Sequence, residues 1–108
     1  MTLDDYQRAA TRTINLQLKG PERLLDAAAG LAEESGEILG IVRKHVFQSR
    51  PLDLVELEKE LGDALWCLSV AAASAGLTLE RVAAANVEKL RVRYPDGYSN
   101  EASRNRSS

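Results

Sequence analysis

Apolar residues in this chain recur at three- and four-residue intervals, and period-two alternation is nearly absent, so the pattern predicts helices and almost no strand. Four helices follow. The first spans about Leu3 to Leu18, with Thr2 as N-cap and Asp4 and Asp5 at the end where the helix dipole favours acids. Gly20-Pro21 breaks it, and proline suits the first turn of the second helix, about Glu22 to Phe47. Gln48-Ser49-Arg50-Pro51 forms the next connection, and Asp53 with Glu56 reads as a capping-box-like start to the third helix. That helix runs to about Ala75, where Gly76 can take the left-handed C′ position. Thr78 caps the fourth, which ends near Arg93 before the turn Tyr94-Pro95-Asp96-Gly97. From Ser99 onward SNEASRNRSS has no apolar anchor. The expectation is an all-α, four-helix bundle-like domain over residues 1–98 and a flexible tail over 99–108.

Carboxylates interrupt two of the apolar stripes. On the second helix the stripe passes through Leu24, Ala27, Leu31, Ile38 and Ile41, and the position between Leu31 and Ile38 is Glu34. Glu37 follows one turn on, and Glu33 flanks the same turn. On the third helix Glu56, Glu60 and Asp63 share one face, which continues as Cys67 and Val70. Acids on an inward stripe are costly unless a cation meets them. If a short connection packs the two helices antiparallel, the pairs Glu34/Glu37 and Glu60/Asp63 face each other. Four hard oxygen donors there suit Mg²⁺, with Mn²⁺ as an alternative. A single E-x-x-E is most often only a solvated face; two matched pairs in apolar stripes are harder to dismiss. Gly36 and Gly62 beside them allow either a close helix approach or room for a substrate.

Composition narrows the class further. With 108 residues, 44% hydrophobic and 28% charged, the chain reads as one ordinary globular domain. The net charge of −2 gives little support to binding of a nucleic acid polymer. Its longest nearly apolar stretch, Ala64 to Ala75, is too short to span a bilayer, so no membrane partner is expected. The polar, acidic start MTLDDYQRAA does not resemble a secretory signal, and the lone Cys67 reads as a small core residue, so a cytoplasmic location is expected. Alanine and leucine on more than one face of each helix favour a homodimer or homotetramer. Lys44 and His45 read as solvated residues. Trp66, three residues after Asp63, either belongs to the core or stacks its ring on a ligand.

The run Glu33-Glu34-Ser35-Gly36-Glu37, followed by Glu60-Leu61-Gly62-Asp63, resembles the EExxE…ExxD signature of the MazG-like all-α nucleoside triphosphate pyrophosphohydrolases. The stretch ELGDALW and the ending Asn86…Lys89…Arg93-Tyr94-Pro95 extend the resemblance over roughly Leu3 to Tyr98. It implies the all-α NTP pyrophosphatase fold, with Glu34, Glu37, Glu60 and Asp63 as ligands to Mg²⁺. It also implies cleavage of an NTP or dNTP between the α and β phosphates, giving the monophosphate and pyrophosphate, in a nucleotide-pool housekeeping role. Glu33 then either accepts the proton of the attacking water or is an ordinary exposed glutamate. Asn86 and Lys89 are implied contacts to phosphate or sugar, Arg93 shares their face, and Gln7 stands where relatives often carry a glutamine near the nucleotide.

Three rivals compete with that reading. A carboxylate-bridged di-iron bundle needs two Glu-x-x-His pairs, whereas His45 is the lone histidine and Val42 precedes it by three. A non-catalytic helical interaction module would use the acidic faces for solubility or partner choice. A relative specific for dUTP, dCTP or a phosphoribosyl nucleotide would differ at base-contacting positions that one sequence cannot rank.

Overall fold

The computed structural model describes residues 1–105 and places them in five helices, with no β-strand among the described residues. They are α1 (Leu3–Thr11), α2 (Gly20–Phe47), α3 (Leu54–Ser74), α4 (Leu79–Arg93) and α5 (Asn100–Arg104). The all-α fold expected from periodicity is therefore observed, with a fifth short helix, capped by Ser99, in the segment without an expected element. Residues 106–108 of the expected flexible tail lie outside the described residues.

Capping explains most boundaries. Thr2 and Asp5 exchange backbone-to-side-chain bonds at 3.0 Å in both directions, a reciprocal cap in which Asp replaces the usual Glu. The helix α1 stops at Thr11 rather than continuing to Leu18. Thr11 and Thr13 turn their hydroxyls onto the carbonyls of Gln7 and Ala10, and the Asn15 side chain accepts from Gln17 N. Such local bonds compete with the helical ladder. Asp53 caps α3 through Glu56 N at 3.1 Å, but the Glu56 carboxylate meets Lys59, so only half of the expected capping box forms. At the end of α3, Gly76 sits at φ +76 while Leu77 N donates to Ala72 O at 2.8 Å. That Schellman closure requires the left-handed region, which glycine enters without steric cost. Chain direction then changes sharply, with α4 bent by 102° from α3.

Gln7 fastens this corner. Its amide donates to Ser69 O and Leu77 O, and its oxygen accepts from Leu79 N at 3.0 Å. Around it lies a small core of Ala10, Ala27, Cys67, Val70, Ala72 and Leu79. The radius of gyration is 16.7 Å, where a compact chain of this length has about 13 Å. Accessible surface is 8173 Å², against about 5,900 Å² for a folded monomer of 11.8 kDa.

Exposed apolar side chains contribute to the excess. On α3, Leu54, Leu61, Leu65 and Leu68 fall within one helical stripe and are exposed. On α2, Leu24, Val42 and Val46 form a second partly exposed apolar stripe. No single helix is long and apolar enough to cross a membrane.

Candidate metal centre

The position of the acids follows from one close contact lower in the α2–α3 pair. A Cβ added at Gly30 would lie 3.0 Å from Cys67 Sγ, so glycine there lets the two helices approach closely. Antiparallel helices share the same rise per residue. Four residues up α2 and four back along α3, Glu34 meets Asp63; three further, Glu37 comes level with Glu60. Gly36 and Gly62, the glycines the sequence singled out, have nothing within 4 Å of an added Cβ, so the close approach is made at Gly30 instead.

Ligand oxygens of Glu34, Glu60 and Asp63 all lie within 4.8 Å of one another. Glu34 is half-buried, and its Oε2 is shielded from solvent without a hydrogen-bond partner. The Glu60 carboxyl pressed against Glu34, together with burial and the charges of Glu60, Asp63 and Glu33, pushes the Glu34 carboxyl from its ordinary 4.5 up to about 7. A shared proton relieves the repulsion; so would a divalent cation. Oxygens bound to one Mg²⁺ at its usual distance stand roughly 3–4 Å apart, so this cluster fits a divalent metal with small side-chain adjustment. The three carboxylates and the orphaned Oε2 are the features that fit.

A proton bound only in the native state has a thermodynamic signature. Between pH 4.5 and about 7 the folded chain holds a proton on Glu34 that the unfolded chain has released. Its contribution to stability is therefore fully present below pH 4.5 and is lost as pH rises through about 7. In metal-free buffer the thermal midpoint of the wild type, relative to Glu34→Gln, is expected to fall as pH rises from 5 to 8. Parallel curves for the two proteins across that range would refute the carboxylate clash.

Two clefts border the cluster. One, about 370 Å³, is lined by Asp26, Glu33, Glu34, Asp63, Trp66 and Cys67 among others. The other, about 430 Å³, is lined by Glu37, Lys44, Arg50 and Glu60 among others. Glu37 thus stands beside the triad, in the neighbouring cleft, rather than within it. Trp66 is half-buried in the wall of the first cleft, and its Nε1 donates to Thr13 Oγ1 at 2.8 Å. Cys67 is buried, which pushes its thiol pKa up and keeps it protonated, in line with a core role.

Other expected site residues lie elsewhere. Gln7 is occupied at the α3–α4 corner with both its amide and its oxygen engaged. Asn86 and Lys89 are exposed on α4 and line neither cleft. Arg93 is half-buried, with its guanidinium 5.9 Å from the Tyr94 ring centre. Two cations of the second cleft were not among the sequence-derived candidates. Lys44 follows Glu37 by two helical turns, a spacing that carried the signal; Arg50 lies on a loop, where no periodicity applies.

Comparison with curated proteins and with solved structures finds no match. Residues 22–98, which carry most of α2, all of α3 and α4 and every carboxylate of the cluster, match the MazG nucleotide pyrophosphohydrolase domain, and the chain belongs to that family of nucleotide pyrophosphohydrolases.

Proposed function

We propose that this protein is a Mg²⁺-dependent pyrophosphohydrolase that converts an NTP or dNTP to the monophosphate and pyrophosphate. The observation that carries the proposal is the convergence of Glu34, Glu60 and Asp63 within 4.8 Å, in a chain of this family. Those three residues, with Glu37 from the adjoining turn as the fourth, would hold the metal. When bound, the metal neutralises phosphate charge and favours the deprotonated form of a nearby water.

The remaining chemistry belongs to the chain's own groups. Glu33 opens onto the cleft shared by Glu34 and Asp63, and its carboxylate accepts the proton of the attacking water. The water oxygen bonds to the α-phosphorus, the bridging α–β bond breaks, and pyrophosphate leaves. Trp66, fixed by its bond to Thr13, offers a ring face for the base. Asn86, Lys89 and Arg93 line neither of these two clefts, and a second copy could bring them to the substrate.

That second copy is part of the proposal. The exposed apolar stripes of α2 and α3 are covered by the same stripes of another chain. The accessible surface of one chain exceeds the monomer expectation by about 2,300 Å², or about 4,600 Å² over two chains, which falls within the 2,000–5,000 Å² total of obligate homodimer interfaces.

The reaction is tested with a panel of ribo- and deoxynucleoside triphosphates, in Mg²⁺ and in EDTA, by measuring pyrophosphate and monophosphate together. Equimolar products that disappear in EDTA are expected. Phosphate instead of pyrophosphate, or no product from any triphosphate, would refute the reaction.

A further inference from the structure

The cleft beyond the carboxylates differs in chemistry from the one before them. Its lining adds Lys44 and Arg50 to the carboxylates of Glu37, Asp53, Glu56 and Glu60. Among the described residues neither cation has a carboxylate within 4.0 Å; the ion pairs are Arg8–Asp5, Lys59–Glu56 and Arg91–Glu88. Glu56, an acid of the same cleft, is therefore engaged by Lys59 rather than by Lys44 or Arg50.

Arg50 is held in place by its backbone. Ser49 takes φ +52, in the left-handed region that a non-glycine residue rarely enters. His45 Nδ1 donates to Arg50 O at 2.6 Å, since a carbonyl can only accept, and Arg50 N reaches Lys44 O at 3.4 Å. Pro51 restricts Arg50 from the other side. A cation near the end of α2 is favourable on dipole grounds alone, which accounts for Lys44. It does not account for the pinned loop that presents a second cation to the same cleft.

The first cleft has the opposite character. Its lining contains Trp66, Cys67, Ala29, Gly30 and acids, and no cation. Along the α2–α3 pair the lining therefore passes from a cleft with Trp66 and no cation, past Glu34, Glu60 and Asp63, to a cleft in which Lys44 and Arg50 stand among Glu37, Asp53, Glu56 and Glu60. A nucleoside triphosphate has the same asymmetry, with a flat base at one end, the β and γ phosphates at the other and the α-phosphorus between.

We infer that Lys44 and Arg50 bind the β and γ phosphates of the substrate, and then the departing pyrophosphate, while the base lies on the Trp66 side. The inference rests on the pyrophosphohydrolase reading and deepens it by setting the direction of the substrate in the groove. Arg50 supplies a planar fork matched to two phosphate oxygens, and Lys44 a mobile point charge.

The test uses the full chain with Mg²⁺ and two probes, inorganic pyrophosphate and a deoxynucleoside monophosphate. Binding is followed by fluorescence of the single tryptophan and by calorimetry. Wild type is compared with Lys44→Ala, Arg50→Ala, the double variant, and Arg81→Ala as an exposed cation outside the cleft. Each cleft variant is expected to weaken pyrophosphate about tenfold or more, with monophosphate affinity within about twofold of wild type, because only charged-group hydrogen bonds to the departing half are lost. Arg81→Ala should change neither. Unchanged pyrophosphate affinity in the double variant, with wild-type turnover intact, would overturn this inference alone. Equal weakening of both probes would also overturn it. A wild type that binds neither probe and releases no pyrophosphate would overturn the functional reading and this inference together.

Discussion

Asp63→Asn is expected to cut pyrophosphate release about a thousandfold while leaving the metal-free fold at least as stable as wild type. The two effects have one origin. Asp63 shares its site with Glu34 and Glu60 within 4.8 Å, so in the metal-free chain its charge opposes its neighbours. Neutralising it relieves that repulsion. In the proposed reaction the same charge would help to hold the cation that offsets the triphosphate. Losing several kcal/mol of transition-state stabilisation corresponds to about three decades at 1.36 kcal/mol per decade. Initial rates and thermal midpoints measured on one preparation separate this outcome from misfolding, which would lower both. A rate within tenfold of wild type would remove Asp63 from the site. Glu37→Ala in the same assay decides the fourth ligand. A loss as large as that of Asp63→Asn makes it a ligand, and a loss confined to about tenfold leaves a three-carboxylate centre with Glu37 as a neighbour.

Leu61→Arg combined with Leu68→Arg is expected to convert the proposed homodimer to monomer and lower the thermal midpoint by more than about 10 °C. Both side chains are about half exposed in the single chain, at 52% and 46%, and lie on the exposed apolar face of α3. If a second copy covers them, two arginines must be desolvated without partners, in addition to the loss of leucine packing. At roughly 4–8 °C per kcal/mol for a domain of this size, even part of that loss is a large shift. Sedimentation equilibrium at micromolar concentration reports the mass. A wild type of 11.8 kDa in solution, or a double variant with unchanged mass and midpoint, would show that this face is not covered by a second chain.

How far the carboxylate cluster was legible in the sequence follows from its construction. Helical periodicity is a local property, so Glu34 interrupting Leu31 and Ile38, and Asp63 running into Cys67 and Val70, stand out with no knowledge of packing. The short connection between α2 and α3 then made an antiparallel pair the natural expectation. The relative slide of the two helices is not local. It is set where Gly30 lets Cys67 close in, and this places Glu34, Glu60 and Asp63 in one set with Glu37 beside it.

Hydrogen bonds between distant segments were equally out of reach. Gln7 finds its partners 62 to 72 residues away, at Ser69, Leu77 and Leu79, so its place at a structural corner has no trace in its neighbours along the chain. Thr13 likewise ends up under Trp66, 53 residues on. The early end of α1 was partly legible, because Thr11, Thr13 and Asn15 are residues whose side chains compete for backbone groups.

By itself, then, the sequence determined the all-helical class, the caps at Thr2, Asp53 and Thr78, the closure at Gly76 and the acidic interruptions, all of which depend on interactions within a few residues. Tertiary structure alone decided which acids meet, that Trp66 lines a cleft, that Lys44 and Arg50 share the other, and that a broad leucine face stays uncovered in one chain. The physical reason is that helix slide and long-range pairing depend on how surfaces fit, and that fit is a property of two segments together.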